Sequence, residues 1–179
     1  MNVLIKVMAC GVCHTELDEI EERTPPRRFP VILGHQVVGK IVATGDDVHH
    51  WQPGDHVGVA WIGYVCGECP FCLSGRENLC SEFEATGRDR NGGYAQYMTA
   101  RSESVFWVPA NYSDSQVAPL LCAGAIGYRS LRLTNLRDGQ LLGLMGYGAS
   151  AQRGMEMARH RFPHSPILVF EMRERAHWL

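Results

Sequence analysis

The sequence predicts a mainly β domain followed by the opening of an α/β domain. Three observations carry this. Short runs of alternating apolar residues, separated by glycines, fill roughly the first 110 positions. At Ser113 the period changes to that of a helix. Beyond residue 140 the order becomes strand, glycine-rich turn, helix, strand.

Residues 3–9 set Val3, Ile5 and Val7 against Leu4 and Lys6, and further β-rich runs follow at Val37–Val42, His56–Ile62 and Tyr94–Val108. Gly34, Gly39, Gly45, Gly54, Gly63, Gly92 and Gly93 punctuate them, as in short twisted strands closing a barrel-like sheet. Ser113 with Gln116 reads as a capping box. One helix is expected from there, through Val117, Leu120, Leu121, Gly124, Tyr128 and Leu131, crossing into a second domain. The expected division is 1–124 and 125–179. Leu141–Met145 reads as a buried strand, Ser150–Arg161 as a helix and Ile167–Phe170 as a second strand.

With 45% hydrophobic and 20% charged residues, the 179-residue chain can bury a sizeable core. A net charge of -2 gives no basic footprint for nucleic acid or an anionic membrane, so small neutral partners are expected. No apolar run reaches the length of a membrane span, and the amino terminus alternates like a strand rather than a signal sequence. A cytoplasmic location is the expectation.

Seven cysteines are many for a compartment that keeps thiols reduced, unless they ligate metal. Cys66, Cys69, Cys72 and Cys80 form Cys-x2-Cys-x2-Cys-x7-Cys in one loop. Four local thiolates suit a closed tetrahedral zinc with no position left for water or substrate, hence a structural site. A redox dithiol needs only two of them, and the bacterial iron–sulfur run has a shorter last gap and a following proline. Cys13, His35 and Cys122 lie far apart in sequence. Separate segments each donating one ligand are what an open catalytic zinc requires, although singly each has a bland explanation in packing or a turn. Cys10 reads as packing, and His49 and His50 as a hydrated turn.

The frame Gly34-His35-x3-Gly39-x5-Gly45-x2-Val48, the loop ending GRENLC, the run NGGYAQY and LLCAGAIGYRSL occur together and in order. In these motifs the chain resembles the zinc-dependent medium-chain alcohol dehydrogenases, in the branch near the cinnamyl alcohol dehydrogenases. The resemblance implies a GroES-like catalytic domain lacking its first strands, followed by a partial Rossmann domain, so that the chain reads as truncated at both ends. It also implies two zinc ions per chain, a catalytic one on Cys13, His35 and Cys122 and a structural one on the four-cysteine loop. The implied reaction is reversible oxidation of an alcohol to an aldehyde or ketone, with the catalytic zinc as Lewis acid and hydride passing to NAD or NADP. Thr15 matches the family's proton-passing hydroxyl, and His14 the basic residue that meets the cofactor pyrophosphate. Glu16 stands where the family usually has Asp and is expected to orient His35. Gln36 replaces a common Glu, which removes a negative charge beside the metal. The relay histidine of some members is replaced near Asp18.

LLGLMGYGASAQ places Gly146, Gly148 and Ala151 in a dinucleotide-binding pattern between strand and helix, and Glu171 follows 20 residues after Ala151. Glu171 favours the ribose hydroxyls of NAD, whereas Arg173 and Arg175 would suit a 2′-phosphate. Expected partners are a small alcohol or aldehyde and either a homo-oligomer or a complementing fragment, with neither nucleic acid nor membrane. Two other readings stand beside the enzyme: a zinc-binding fragment without a competent cofactor crevice, and a thiol-based sensor.

Overall fold

The computed structural model describes residues 1–171; Arg173 and Arg175 lie outside the described residues. The chain divides into two compact units, Met1–Cys122 and Ala123–Leu179. In the first unit the elements run β1 (Asn2–Cys10), α1 (His14–Ile20), β2 (Val37–Thr44), β3 (His56–Val59), β4 (Ile62–Tyr64), α2 (Pro70–Leu73), β5 (Glu84–Ala85), β6 (Tyr97–Arg101), β7 (Val105–Trp107) and α3 (Asp114–Val117). Five strands form an antiparallel sheet in the order β6-β1-β2-β3-β7, and β4 and β5 pair separately.

The alternation in β1 does what its period dictates. Val3 and Ile5 are buried while Asn2 and Lys6 face solvent. Val3 pairs with Thr44, Ile5 with Ile41 and Val7 with Gly39, with register shifts at Leu4/Ile5 and Val7/Ala9 that bend the strand. Ile5, Val37, Ile41, Val57, Val59 and Met98 meet in one core, closed by Trp51, whose indole N–H donates to the Ser102 carbonyl at 3.0 Å. Two long β runs of the sequence are each split. His56–Ile62 becomes β3 and β4, and Tyr94–Val108 becomes β6 and β7 around a 3₁₀ turn at Ser102–Ser104.

The start of β2, Val37–Gly39, is buried on both faces, whereas Lys40 and Val42 are exposed. Val37 and Ile41 enter the core just described, and Val38 packs with Val108, Val117 and Ala118 on the other side. This sandwiching holds the loop before β2, which carries His35, beneath the segment that ends at Cys122. Gly39 lets β1 approach: a Cβ there would collide with the Lys6 carbonyl and come within 2.6 Å of Ile5 Cγ2. Gly39→Ala is therefore expected to cost about 1–3 kcal/mol through overpacking. Thermal unfolding followed by circular dichroism checks this, and an unchanged midpoint would refute the close approach.

The single helix expected from Ser113 is two. The Ser113 amide does donate to Gln116 Oε1 at 3.0 Å, completing the capping box, but α3 stops at Val117. Ala118–Leu121 is a 3₁₀ turn with Pro119 in its first positions, and Cys122 leaves helical geometry at φ -131, ψ -76. Proline has no N–H to extend the ladder, so the chain breaks there and turns the Cys122 thiol off the helical path.

In the second unit, α4 (Ala123–Leu133), β8 (Leu142–Met145), α5 (Ala149–Arg161) and β9 (Ile167–Phe170) enclose Leu131, Leu142 and Ala158. Strands β8 and β9 are parallel, with Leu142 opposite Ile167 and Met145 opposite Phe170. Helices α4 and α5 touch at two glycines: a Cβ on Gly127 would lie 2.9 Å from the Gly154 nitrogen. Among the described residues, no helix is long and apolar enough to cross a membrane.

Candidate metal centres

The four-cysteine loop leaves β4 and returns into β5. Gly67 and Gly75 take φ of +78° and +68°, conformations that only glycine adopts cheaply, and Pro70 opens the short helix α2 between them. The result folds back on itself. Sulfur–sulfur distances are 3.5 Å for Cys69–Cys72, 3.6 Å for Cys66–Cys80 and 3.9 Å for Cys66–Cys72, and all seven cysteines are free thiols. A zinc tetrahedron with bonds of about 2.3 Å has edges of about 3.8 Å, so the thiols already stand at the corners of one. Backbone amides of Cys66, Cys69, Cys72 and Glu82 point at these sulfurs over 3.4–3.5 Å. The Cys72 amide, donated to Cys69, draws that thiol down to about 7. The donor set fits a structural zinc.

Cys13, His35 and Cys122 converge although 109 residues separate the two cysteines; their ligand atoms lie within 4.8 Å of one another, and the two sulfurs are 3.8 Å apart. That spacing again matches a tetrahedral edge, with three protein donors rather than four. Cys13 sits at the start of α1. Its amide donates to Glu16 Oε2 at 2.7 Å, and Glu16 Oε1 lies 2.6 Å from His35 Nδ1. One carboxylate thus fixes two of the three donors, and with Nδ1 engaged the other ring nitrogen of His35 is the one left for the thiols. His35 and Glu16 are each 2% exposed.

The electrostatics agree with the geometry. Hydrogen bonding to Cys122, and then to His35, pulls the Cys13 thiol down to about 3. Cys122 moves the opposite way, because it donates to that thiolate and is partly buried. Burial opposes a charged His35 ring, but contacts with Cys13 and Glu16 outweigh it and hold the ring up at about 9. Around the centre, Thr15 Oγ1 is 3.7 Å from Cys13 Sγ. The Trp61 ring meets His35 edge-on at 4.9 Å, and the Arg88 guanidinium lies over the Trp61 ring, 5.4 Å from its centroid. Gln36 is buried beside Gly11. Sequence reasoning passed over Trp61 and Arg88; nothing in the local pattern signals that Trp61 lies against a histidine 26 residues away, or that Arg88 lies over Trp61.

Residues 1–110 match the family described as the alcohol dehydrogenase GroES-like domain. The chain belongs to the zinc-type medium-chain alcohol dehydrogenase family. Among its relatives, "Probable alcohol dehydrogenase AdhA" of Mycobacterium tuberculosis (strain CDC 1551 / Oshkosh) is 45% identical over 162 residues, covering 88% of this chain and 47% of that protein. An "Alcohol dehydrogenase" of Geobacillus stearothermophilus is 37% identical with the same coverage. The solved structure of a cinnamyl alcohol dehydrogenase from Sorghum bicolor superposes with a TM-score of 0.85 at 31% identity, covering 94% of this chain and 50% of that one. That of the Helicobacter pylori enzyme complexed with NADP(H) gives 0.87 at 27% identity, covering 97% and 52%. The chain spans about half the length of the curated relatives it matches.

Other residues that the alcohol dehydrogenase motifs single out lie as follows. His14 is exposed at the first position of α1, 3.6 Å from Asp18 Oδ1 and 3.5 Å from an Arg23 nitrogen. Asp18 is held by Arg23 Nε at 2.6 Å, and Arg23 also pairs with Glu21. In the second unit Gly146 has φ +84, Gly148 caps α5, and a Cβ on either would meet nothing within 4 Å. Ala151 lies in the first turn of α5, and Glu171 Oε2 accepts the Tyr147 amide at 2.6 Å, tying the end of β9 to the glycine loop. Cys10 is packed against the core with its thiol pushed up by burial to about 11.

Proposed function

We propose that this chain carries the metal-binding half of an NAD(P)-dependent zinc alcohol dehydrogenase that interconverts a small primary or secondary alcohol and its aldehyde or ketone. The convergence of Cys13, His35 and Cys122 at tetrahedral spacing, with three donors and not four, carries the reading. In this reading 1–124 is the catalytic domain and 125–179 opens the nucleotide-binding domain, in a cytoplasmic enzyme with two zinc ions per chain.

A zinc at the three-donor centre supplies Lewis-acid polarisation of the substrate oxygen. The chain's own residues do the rest. Glu16 holds the His35 ring and the Cys13 backbone in one orientation toward the centre. Trp61, edge-on to His35, forms an apolar wall beside it. Thr15 Oγ1, near Cys13, is the group that takes a hydroxyl proton from the substrate and passes it on. Asp18 cannot act freely as the next acceptor while Arg23 holds its carboxylate. The loop at Gly146 and Gly148, at the start of the 13-residue helix α5, suits a pyrophosphate. Glu171 favours ribose hydroxyls and so NAD over NADP.

The test is metal analysis of purified wild type, Cys13→Ala and His35→Ala. Wild type is expected to hold two zinc ions per chain, and each variant one, with the four-cysteine zinc retained because its ligands are local. A wild type holding a single zinc, or variants that lose both, would count against the three-donor assignment. Titration with NADH and NADPH then ranks the cofactors.

A further inference from the structure

Helix α1 is amphipathic with its faces reversed. Leu17 and Ile20 are 45% and 66% exposed, while Glu16 and Glu19, three residues apart on the inward face, are 2% and 4% exposed. Two carboxyl groups on the buried side of a seven-residue helix are costly unless something inside holds them. Glu16 has such partners in the Cys13 amide and His35. Glu19 has none of that kind: its Oε1 is buried without a hydrogen-bond partner.

The charged groups that act most strongly on Glu19 come from three segments. Glu16 comes from its own helix, His35 from the loop before β2, and Arg88 and Asp89 from the loop after β5. Asp89 is already engaged, by Arg88 at 3.0 Å and by Arg27 at 3.1 Å. Neither hydrogen bond nor ion pair joins Glu19 to Cys13, His35 or Cys122 among the described residues, so it acts on that centre only through space. Burial, and then the charge of Glu16, push its carboxyl up from the usual 4.5 to about 7. The position next to His35 that would otherwise carry a charge is the buried, neutral Gln36.

We propose that Glu19 is a positioning residue of the Cys13–His35–Cys122 centre: a buried carboxyl that carries a proton in acid and, once ionised, supplies beside the metal the negative charge that Gln36 lacks. The inference rests on the metal reading above. Its sign follows from linkage. A cation at the centre favours ionised Glu19, so ionised Glu19 must tighten the cation by the same factor. Affinity at the three-donor centre therefore gains this contribution as pH rises through about 7.

The experiment is competition titration of zinc, and of cobalt(II) read by its visible absorption, on the full chain and on Glu19→Gln at pH 6 and pH 8. Glutamine has the shape of the protonated acid and cannot ionise. The variant is expected to match wild type at pH 6 and to bind the second metal roughly fivefold or more weakly at pH 8. An equal deficit at both pH values would mark Glu19 as merely structural, and no deficit at either would end the proposal. If wild type takes up no second metal at pH 6 or pH 8, the metal reading itself has failed. Infrared difference spectroscopy then decides the buried proton separately. A carboxylic acid C=O band present at pH 6, lost by pH 9 and absent from the variant is expected, and a wild type without that band overturns the assignment of a proton to Glu19.

Discussion

Cys69→Ser is expected to release one zinc per chain and to lower the thermal midpoint by more than about 10 °C, given that a structural zinc contributes on the order of 10 kcal/mol in small sites. A domain's entire stability is only about 5–15 kcal/mol. The loop from Cys66 to Cys80 has little else to hold it. None of its residues except Cys80 is buried, and its only regular elements are α2 and a 3₁₀ turn at Glu77–Leu79. Zinc bound to the four sulfurs, which lie 3.5–3.9 Å apart in the pairs Cys69–Cys72, Cys66–Cys80 and Cys66–Cys72, would cross-link both ends of the loop. The loop joins β4 to β5, so its loss frays that pair, which lies next in the chain to Trp61, the ring that meets His35. Metal analysis together with circular dichroism melting reads both effects. Retention of two zinc ions, or an unchanged melting curve, would refute the structural assignment.

The 179-residue chain by itself is expected to turn over alcohols at a rate below detection, despite its assembled donor set. Hydride transfer needs the nicotinamide carbon held in near-attack geometry, and such positioning is worth about 7–11 kcal/mol of the barrier. Dinucleotides bind where the strand order of a doubly wound sheet reverses, which takes strands of both halves. The described second unit has two parallel strands, β8 and β9, and their order reverses nowhere. The same geometry leaves Leu168, Val169 and Phe170 of β9 between 41% and 52% exposed, with Met145 at 84%. Parallel strands are normally covered on both faces, so self-association is expected in the same sample. Steady-state assays with benzyl alcohol, cinnamyl alcohol and ethanol, with NAD and NADP, beside light scattering, test both statements. Saturable NAD(P)H formation by a monodisperse 20.0 kDa monomer would overturn them.

The four-cysteine centre was legible before any fold was known, because its ligands lie within 15 residues and their spacing is itself the geometry. The glycine turn at Gly146 and Gly148 was legible for the same reason, as were the positions of β1, β8, α5 and β9. Strand β8, however, expected as a buried strand, has only Leu142 buried and leaves Met145 exposed, because β9 and α5 alone do not cover it. Local pattern misled at Ser113, where helical spacing continues through Pro119 and Cys122 although the backbone does not. It also ran β3 into β4 across the apolar pair Ala60 and Trp61, which leave no mark on the period, and ran β6 into β7 although Ser102-Glu103-Ser104 is a polar interruption.

What only the tertiary structure decided is the three-donor centre and everything that tunes it. The sequence names Cys13, His35 and Cys122, but each is ordinary where it stands. Their meeting depends on the start of β2 being packed on both faces, Val37 into one core and Val38 against Val117 and Ala118, just before the segment broken at Cys122. The reversed faces of α1 belong to the same class. By pattern, Leu17 and Ile20 should point inward, and they point out because Glu16 is held by His35 and the Cys13 amide. Nearest-neighbour propensity records what a residue prefers in water. A buried carboxylate follows instead the charges that distant segments bring to it, and those exist only once the chain has folded.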